Sequence, residues 1–466
     1  MANLPQKSVY SSVTRKLTTR LKWGTARHTP IEYHLAGGFP NAGDLPNPHL
    51  ASEIWGTLHL GYAGKIGPVS APLPELLSLV QRPTEQWHAR LRELVLCESP
   101  TENAAAVNRA TSLVEAWAKA LGARVIRHPQ QGYGDVLELW FGPAATDTKP
   151  LMLLGHLDTV WPLGTLATMP WREAPDSAGR TRLWGPGVLD MKAGVVMALA
   201  ALEAVQQHGA LSRPVVLLLN PDEETGSAVS REHTERIARE CEAVFVLEPA
   251  QGLPGSPDNA AYKTARKGVG QYRLDVTGVA SHAGVDFERG HSAVLELAGL
   301  LQQVERFTDL RSGLTVNPGV IGGGTRSNVV PAEAWAEVDV RIAKLADAER
   351  VDALFHGLRV SDPACSLRVT GGINRPPMER GPGTVRLYER ARALASELGF
   401  LLPEASTGGG SDGNFTAGLG IPTLDGMGAV GEGAHAAHES ILLDELLPRT
   451  ALLAGMIAAN HPSASS

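Results

Sequence analysis

The sequence predicts an α/β protein: a mixed sheet flanked by helices, with a second, smaller domain inserted into the first. Three observations lead there. Short apolar runs at residues 151–154, 215–219 and 243–247 are separated by helical stretches such as 194–207, the pattern of buried strands in an α/β sheet. Between residues 266 and 376 the order changes to strand (271–277), helix (293–307), strand (314–321), strand (334–342), helix (346–358) and strand (366–370). That is the β-α-β-β-α-β order of a ferredoxin-like unit. The third observation is the length of 466 residues, which exceeds what one hydrophobic core supports.

The elements follow in order. Residues 1–80 differ in texture from the rest: Ser/Thr-rich and basic early, with Arg15, Lys16, Arg20 and Lys22 close together, then Gly/Pro-rich. No fold is assigned to them. Their basic, acid-poor opening has the composition of a transit peptide, and an irregular extension or an upstream start codon accounts for it equally well. From residue 83 the pattern becomes regular, with amphipathic helices at 87–97 and 105–121 before a strand at 135–141. A first domain then comprises 83–265 and, after the insertion at 266–376, resumes with a helix at 383–398 and runs to 463.

Composition narrows the function classes. With 43% hydrophobic and 20% charged residues the bulk of the chain is globular, and a formal net charge of -7 gives no electrostatic footprint for nucleic acid. Cys97, Cys241 and Cys365 are far apart and form no CxxC pair, which suits a reducing compartment rather than a disulfide framework. No apolar run reaches the ~18 residues needed to span a bilayer, and no signal peptide is evident. The expectation is a soluble, cytoplasmic protein with neither membrane nor nucleic-acid partner.

Chemistry-bearing residues cluster at the ends of the apolar runs, where open α/β sheets place their sites. His156 and Asp158, in Gly155-His156-Leu157-Asp158, share one side of an extended chain because side chains at i and i+2 point the same way. A glycine-rich approach presents Asp190 at the start of an apolar helix. Asp222, Glu223 and Glu224 close the run 215–219 with three consecutive carboxylates, which repel one another unless solvated or neutralised by a cation. Glu248 directly follows the run 243–247, and His435 and His438 lie near the end of the chain. Singly, each has a plainer reading: a structural histidine, a helix N-cap, a solvated turn, an exposed acid. Together they form a donor set of imidazole nitrogen and carboxylate oxygen suited to borderline and hard divalent metals.

At these residues the chain resembles the zinc metallopeptidase family that includes bacterial glutamate carboxypeptidase, aminoacylase and succinyl-diaminopimelate desuccinylase, and is most similar to the glutamate carboxypeptidase branch. The resemblance covers residue 83 to the end. It implies a zinc-peptidase-like catalytic domain with an inserted lid and dimerisation domain, a homodimer, and two zinc ions, with cobalt or manganese able to occupy similar ligand sets. His156 and Glu248 would hold one ion, Glu224 and His435 the other, and Asp190 would bridge both. The family's spacing between this ligand and the acid matching Glu439 would make His435, rather than the nearby His438, the ligand. The peptide bond Asp190-Met191 would be cis. Asp158 would orient His156 through a hydrogen bond, and Glu223 would be the general base.

In the inserted domain, Ala280-Ser281-His282-Ala283-Gly284 resembles a lid motif whose histidine stabilises the tetrahedral oxyanion, in that family across the dimer. Asn328 and Arg341 resemble residues that grip the substrate carboxylate. Arg375 occupies the place of a second substrate-contacting arginine, and Gly410, in Gly408-Gly409-Gly410-Ser411-Asp412, that of a glycine-rich loop at the substrate. The resulting expectation is a carboxypeptidase-type hydrolase. It would cut an amide bond beside a free carboxylate, in a small peptide or N-acyl amino acid, and glutamate would be a fitting released residue. An N-acyl-amino-acid deacylase or desuccinylase is the alternative within the same chemistry. A non-catalytic binding or dimerisation scaffold is the alternative outside it, and the complete set of ligands and base counts against that.

Overall fold

The computed structural model describes residues 72–144, 147–253 and 256–459. The basic stretch of the extension, Arg15 to Lys22, and the last residues of the first domain, 460–463, lie outside them. Helix α1 (Leu73–Gln81) begins about ten residues before the regular pattern was expected, with Leu73, Leu76 and Val80 buried on one side. Two more helices follow, α2 (Thr84–Leu96) and α3 (Ala104–Ala120), the latter capped by the Asn103 side chain accepting from Ala106 N–H.

The central sheet is mixed. Its strands are β1 (Arg124–His128), β2 (Val136–Phe141), β3 (Leu151–His156), β4 (Val215–Asn220), β5 (Ala243–Val246) and, at the far edge, the two-residue Thr423–Leu424. The spatial order is β1-β2-β4-β3-β5-Thr423–Leu424. The last four run parallel, while β1 and β2 are antiparallel additions. Every residue of β3 and β4 is buried, because both sheet faces are covered. Alternate side chains divide between them. Leu151, Leu153, Leu217 and Phe245 join the core under helix α4 (Ala193–His208), whereas Met152, Leu154, Val216 and Val244 pack with Ile237 of helix α5 (Arg231–Ala238). Helix α4 has almost no exposed face, consistent with its unbroken apolar sequence. At about 1.5–3 kcal/mol per fully buried large aliphatic side chain, these layers dominate the stability.

The inserted domain is ferredoxin-like. Strand β6 (Gly268–Thr277) leads to helix α6 (Ala293–Glu305), strands β7 (Thr315–Gly323) and β8 (Glu333–Ile342), helix α7 (Ala346–His356) and strand β9 (Ser366–Arg375). They form one antiparallel sheet in the order β7-β8-β6-β9. Burial alternates along β6 and β8, so Tyr272, Leu274, Val338 and Val340 face the helices. Tyr272 stacks on Phe355 of α7 with ring centroids 3.9 Å apart.

Helix α8 (Pro382–Glu397) returns the chain to the first domain, and helix α9 (Leu443–Ala458) closes it against α4 and α1. Among the described residues, no helix is long and apolar enough to cross a membrane. Functionally, the outcome of this topology is that β3, β4 and β5 end side by side, delivering His156, the Asp222–Glu224 turn and Glu248 to one edge.

Candidate metal centre

His156 is the last residue of β3 and is buried. Its Nδ1 faces Asp158, 3.0 Å from the carbonyl oxygen and 3.4 Å from Oδ1, and its Nε2 faces Asp190 Oδ1 at 3.2 Å and Glu248 Oε1 at 3.7 Å. The Asp158 carboxylate also accepts from Thr101 Oγ1 at 2.7 Å and from the backbone N–H of Glu223 and Glu224, both at 3.2 Å. One buried acid therefore ties the histidine to the acidic turn after β4. Burial alone would lower the His156 pKa, but the hydrogen bonds to Asp158 and Asp190 prevail and hold it well above the usual imidazole value.

Asp190 lies in an irregular turn opened by Gly187, whose φ of 71° places it in the left-handed region. The Asp190-Met191 peptide bond is cis, as the resemblance implies. Glu439 fixes this turn: its buried carboxylate accepts from the N–H groups of Gly187 (2.9 Å), Leu189 (2.8 Å) and Asp190 (3.1 Å) and from Trp161 Nε1 (2.7 Å). Each carboxylate oxygen of Asp190 meets a different histidine, Oδ1 facing His156 and Oδ2 facing His435 Nε2 at 3.3 Å. His435 sits in the connection between the paired segments Gly431–Glu432 and Ser440–Leu442, itself at a positive φ of 62°. Its Nε2 is also 3.1 Å from Glu224 Oε2.

Two groups of donor atoms result, each with all atoms within 4.8 Å of one another: His156, Asp190 and Glu248, and Asp190, Glu224 and His435. Asp190 belongs to both. His438 belongs to neither, so the geometry favours His435 where the sequence offered two histidines. The electrostatics of these side chains fit the same reading. Burial, with the Asp190 charge adding, pushes Glu248 up to about 7 against the pull of Arg266 and His156. Burial likewise raises Glu224, opposed by its hydrogen bond to His435, and holds Glu223 well above the ordinary carboxylate range, opposed by Arg375. His435 is raised to about 10 by its hydrogen bonds to Asp190 and Glu224. Carboxylates crowded out of water need cations, and Glu224 Oε1 is buried with no hydrogen-bond partner. Divalent metal ions fit this donor set.

Glu223 follows a different course from its neighbour. Its carboxylate turns to Arg375, the last residue of β9, whose Nη2 is 2.9 Å from Oε1 and 3.1 Å from the Glu223 carbonyl oxygen. Arg375 is only 7% exposed and also donates to Ser227 Oγ and Asp412 Oδ1. Gly410 backs it: a Cβ there would lie 3.2 Å from Arg375 Cδ and 2.7 Å from Val269 Cγ2. The other lid residues stand apart from this cluster. His282 is exposed, and its Nδ1 accepts from Gly284 N–H. Asn328 is exposed as well, and Arg341 on β8 forms a paired contact with Asp339 at 2.8–3.2 Å. None of the three hydrogen-bonds a residue of the metal centre in this arrangement.

Several residues around the centre escaped the sequence reading. Glu439 served there only as a spacing marker, yet it anchors the Asp190 turn. Arg266 ends the strand Ser256–Arg266 and lies beside Glu248 Oε2 at 3.7 Å, held by two 2.7 Å bonds to Asp425 and by the carbonyls of Gly409 and Gly410. Asp425 directly follows the buried strand Thr423–Leu424 as Glu248 follows the apolar run 243–247, so the rule that an acid after a buried run needs a partner could have found it. Two residues were too short a run to apply it to.

Residues 152–459 match peptidase family M20/M25/M40. The chain is 29% identical over 374 residues to carboxypeptidase G2 of Pseudomonas sp. (strain RS-16), covering 79% of this chain and 87% of that protein. Among solved structures, the fold resembles aminopeptidase PepT from Bacillus cereus, with a TM-score of 0.64 at 21% identity over 80% of this chain and 98% of that one. It also resembles the M20 family metallo-carboxypeptidase Sso-CP2 from Sulfolobus solfataricus, with a TM-score of 0.63 at 18% identity and the same coverage.

Proposed function

The chain belongs to peptidase family M20/M25/M40, and from that premise we propose that it is a dizinc hydrolase of carboxypeptidase type, cutting an amide bond beside a free carboxylate. The observation that carries this reading is the pair of donor groups sharing Asp190, with Glu223 at their side. His156 and Glu248 would hold one ion, Glu224 and His435 the other, with Asp190 between them. Zinc suits these donors, and cobalt or manganese would be accepted by the same set. When bound, the ions supply Lewis acidity that depresses the pKa of water and polarises the scissile carbonyl.

The chain's own groups do the rest. Asp158 fixes the ring of His156 and, through two backbone bonds, the turn that carries Glu223. Glu223 takes the proton of the attacking water and delivers it to the leaving nitrogen, so that the amide C–N bond breaks to a neutral amine and a carboxylic acid. His282 donates to the developing oxyanion, reaching it from the lid. Asn328, Arg341 and Arg375, with the bare backbone at Gly410, hold the substrate carboxylate, and a pair of arginines favours a dicarboxylic residue such as glutamate at the released position. The exposure of His282 and Asn328 supports a role across a dimer. Leu295 of α6 and Ile321 on the edge strand β7, 71% and 63% exposed, support a homodimer joined through the lid domain.

The test is a metal-reconstituted assay on a panel of N-acyl amino acids and dipeptides, each with a free or amidated carboxyl terminus. Hydrolysis confined to free carboxylates, abolished by a chelator and restored by divalent metal, is the expected result. Activity in the chelated protein, or indifference to the terminal carboxylate, would overturn the reading.

A further inference from the structure

The position of Arg375 raises a conflict that the catalytic reading leaves open. It is assigned to the substrate carboxylate, yet its guanidinium is committed to the general base. Nη2 carries two hydrogens, and four acceptors lie within reach of it: Glu223 Oε1 and O, Ser227 Oγ and Asp412 Oδ1, at 2.8–3.1 Å. The neighbouring donor is idle, because Nε is buried with no hydrogen-bond partner. One prong of the Nε–Nη2 fork is oversubscribed and the other is empty. Leaving a buried donor unsatisfied is unfavourable, and a carboxylate accepting from both prongs at once is the partner such a fork is shaped for.

The far side of Arg375 is held firmly. Asp412 is buried, accepts from Asn220 Nδ2 at 2.6 Å, and is bonded by the Ser227 hydroxyl, which leaves the Ser227 oxygen free to accept from Arg375. Asn220 in turn donates to Thr234 Oγ1 at 2.9 Å, so the network runs from the end of β4 into α5. One face of the guanidinium lies over Phe415, with Cζ 5.3 Å from the ring centroid. Of the four contacts, those to Ser227 and Asp412 are thus anchored in the core, and the contact to the Glu223 carboxylate is the one able to let go.

We propose that Arg375 is a positioning residue that exchanges carboxylates: without substrate it holds the Glu223 side chain, and the substrate's terminal carboxylate, taking the Nε–Nη2 fork, releases Glu223 to act as base. The inference rests on the carboxypeptidase reading above and makes base release conditional on the group that defines the substrate. A substrate lacking the carboxylate binds beside a base that is still tethered, so the defect falls on kcat as well as KM.

Two measurements test it. The first is kinetic, using the best substrate of the panel and the same compound with its terminal carboxyl converted to a carboxamide. In metal-reconstituted Arg375→Met, KM for the carboxylate substrate should rise roughly tenfold or more, while kcat for the carboxamide should rise above the wild-type value because nothing tethers Glu223. A fall or no change in carboxamide kcat would overturn the exchange. The second keeps the native arginine and does not depend on that variant folding: crystal structures of the metal-loaded wild-type protein with the released amino acid and with its carboxamide. The 2.9 Å contact between Nη2 and Glu223 Oε1 should open beyond hydrogen-bonding distance only with the free acid. The contact surviving in both complexes, or opening in both, would contradict the proposal. A wild-type protein inactive on the entire panel would instead defeat the catalytic reading itself, which separates the two failures.

Discussion

His156 presents its two ring nitrogens to different partners, Nδ1 to Asp158 and Nε2 to Asp190 and Glu248, and this division orders the whole centre. The same crowding predicts how metal binding depends on pH. A ligand must shed its proton to bind a cation. In the metal-free chain Glu248, at about 7, and His435, at about 10, both lie above their ordinary values, so each still carries a proton at pH 6. Raising the pH through this range titrates Glu248 and makes the proton on His435 easier for a cation to displace. Apparent metal affinity should therefore climb between pH 6 and pH 8, by about tenfold per pH unit for each proton displaced. Calorimetric titration of the metal-free protein in buffers of different ionisation enthalpy would read both the affinity and the proton release. An affinity independent of pH would mean that these groups are not the ligands.

The elements place these residues by close packing. Helix α4 starts at Ala193, three residues after Asp190, and its Gly194 lies so near the end of β5 that a Cβ there would sit 2.2 Å from the Leu247 carbonyl oxygen. No side chain fits without pushing the helix from the strand that delivers Glu248. Gly194→Ala should destabilise the protein by about 1–3 kcal/mol and weaken metal binding, as denaturant melts with and without metal would show; an unchanged midpoint would refute the packing argument. Most of these elements were legible in the sequence because they are buried on both faces: β3, β4, β5 and α4 read as unbroken apolar runs. Others lacked that signature. Strand β1 is RVIRH, with no fully buried residue, and helix α9 carries Pro448 inside it, which disguises its apolar run. The site followed the same logic. His156, Glu224 and Glu248 were visible because each ends or follows a buried strand, whereas the grip of Arg375 on Glu223 joins residues 152 positions apart and left no local trace.

At the scale of the whole molecule, the lid raises a question of completeness. His282 and Asn328 are exposed and make no hydrogen bond to the metal centre of their own chain. If a second copy completes the site, mixing two inactive variants restores activity. Glu223→Ala and His282→Ala, each nearly inactive as a homodimer, should regain about a quarter of wild-type turnover after mixing and subunit exchange, since half the dimers are mixed and one of their two sites is intact. No recovery on mixing, with dimers confirmed by light scattering, would place His282 in the service of its own chain's centre.

In the proposed reaction two adjacent glutamates have different jobs, Glu224 holding metal and Glu223 moving a proton. Metal content and turnover of Glu223→Gln, measured on the same preparation, address that most directly. The predicted result is two metal ions per chain in the variant and the wild-type protein alike, with kcat of the variant reduced by about 10²–10⁴-fold. A variant that keeps both ions and full turnover, or that loses its metal along with its activity, would contradict it.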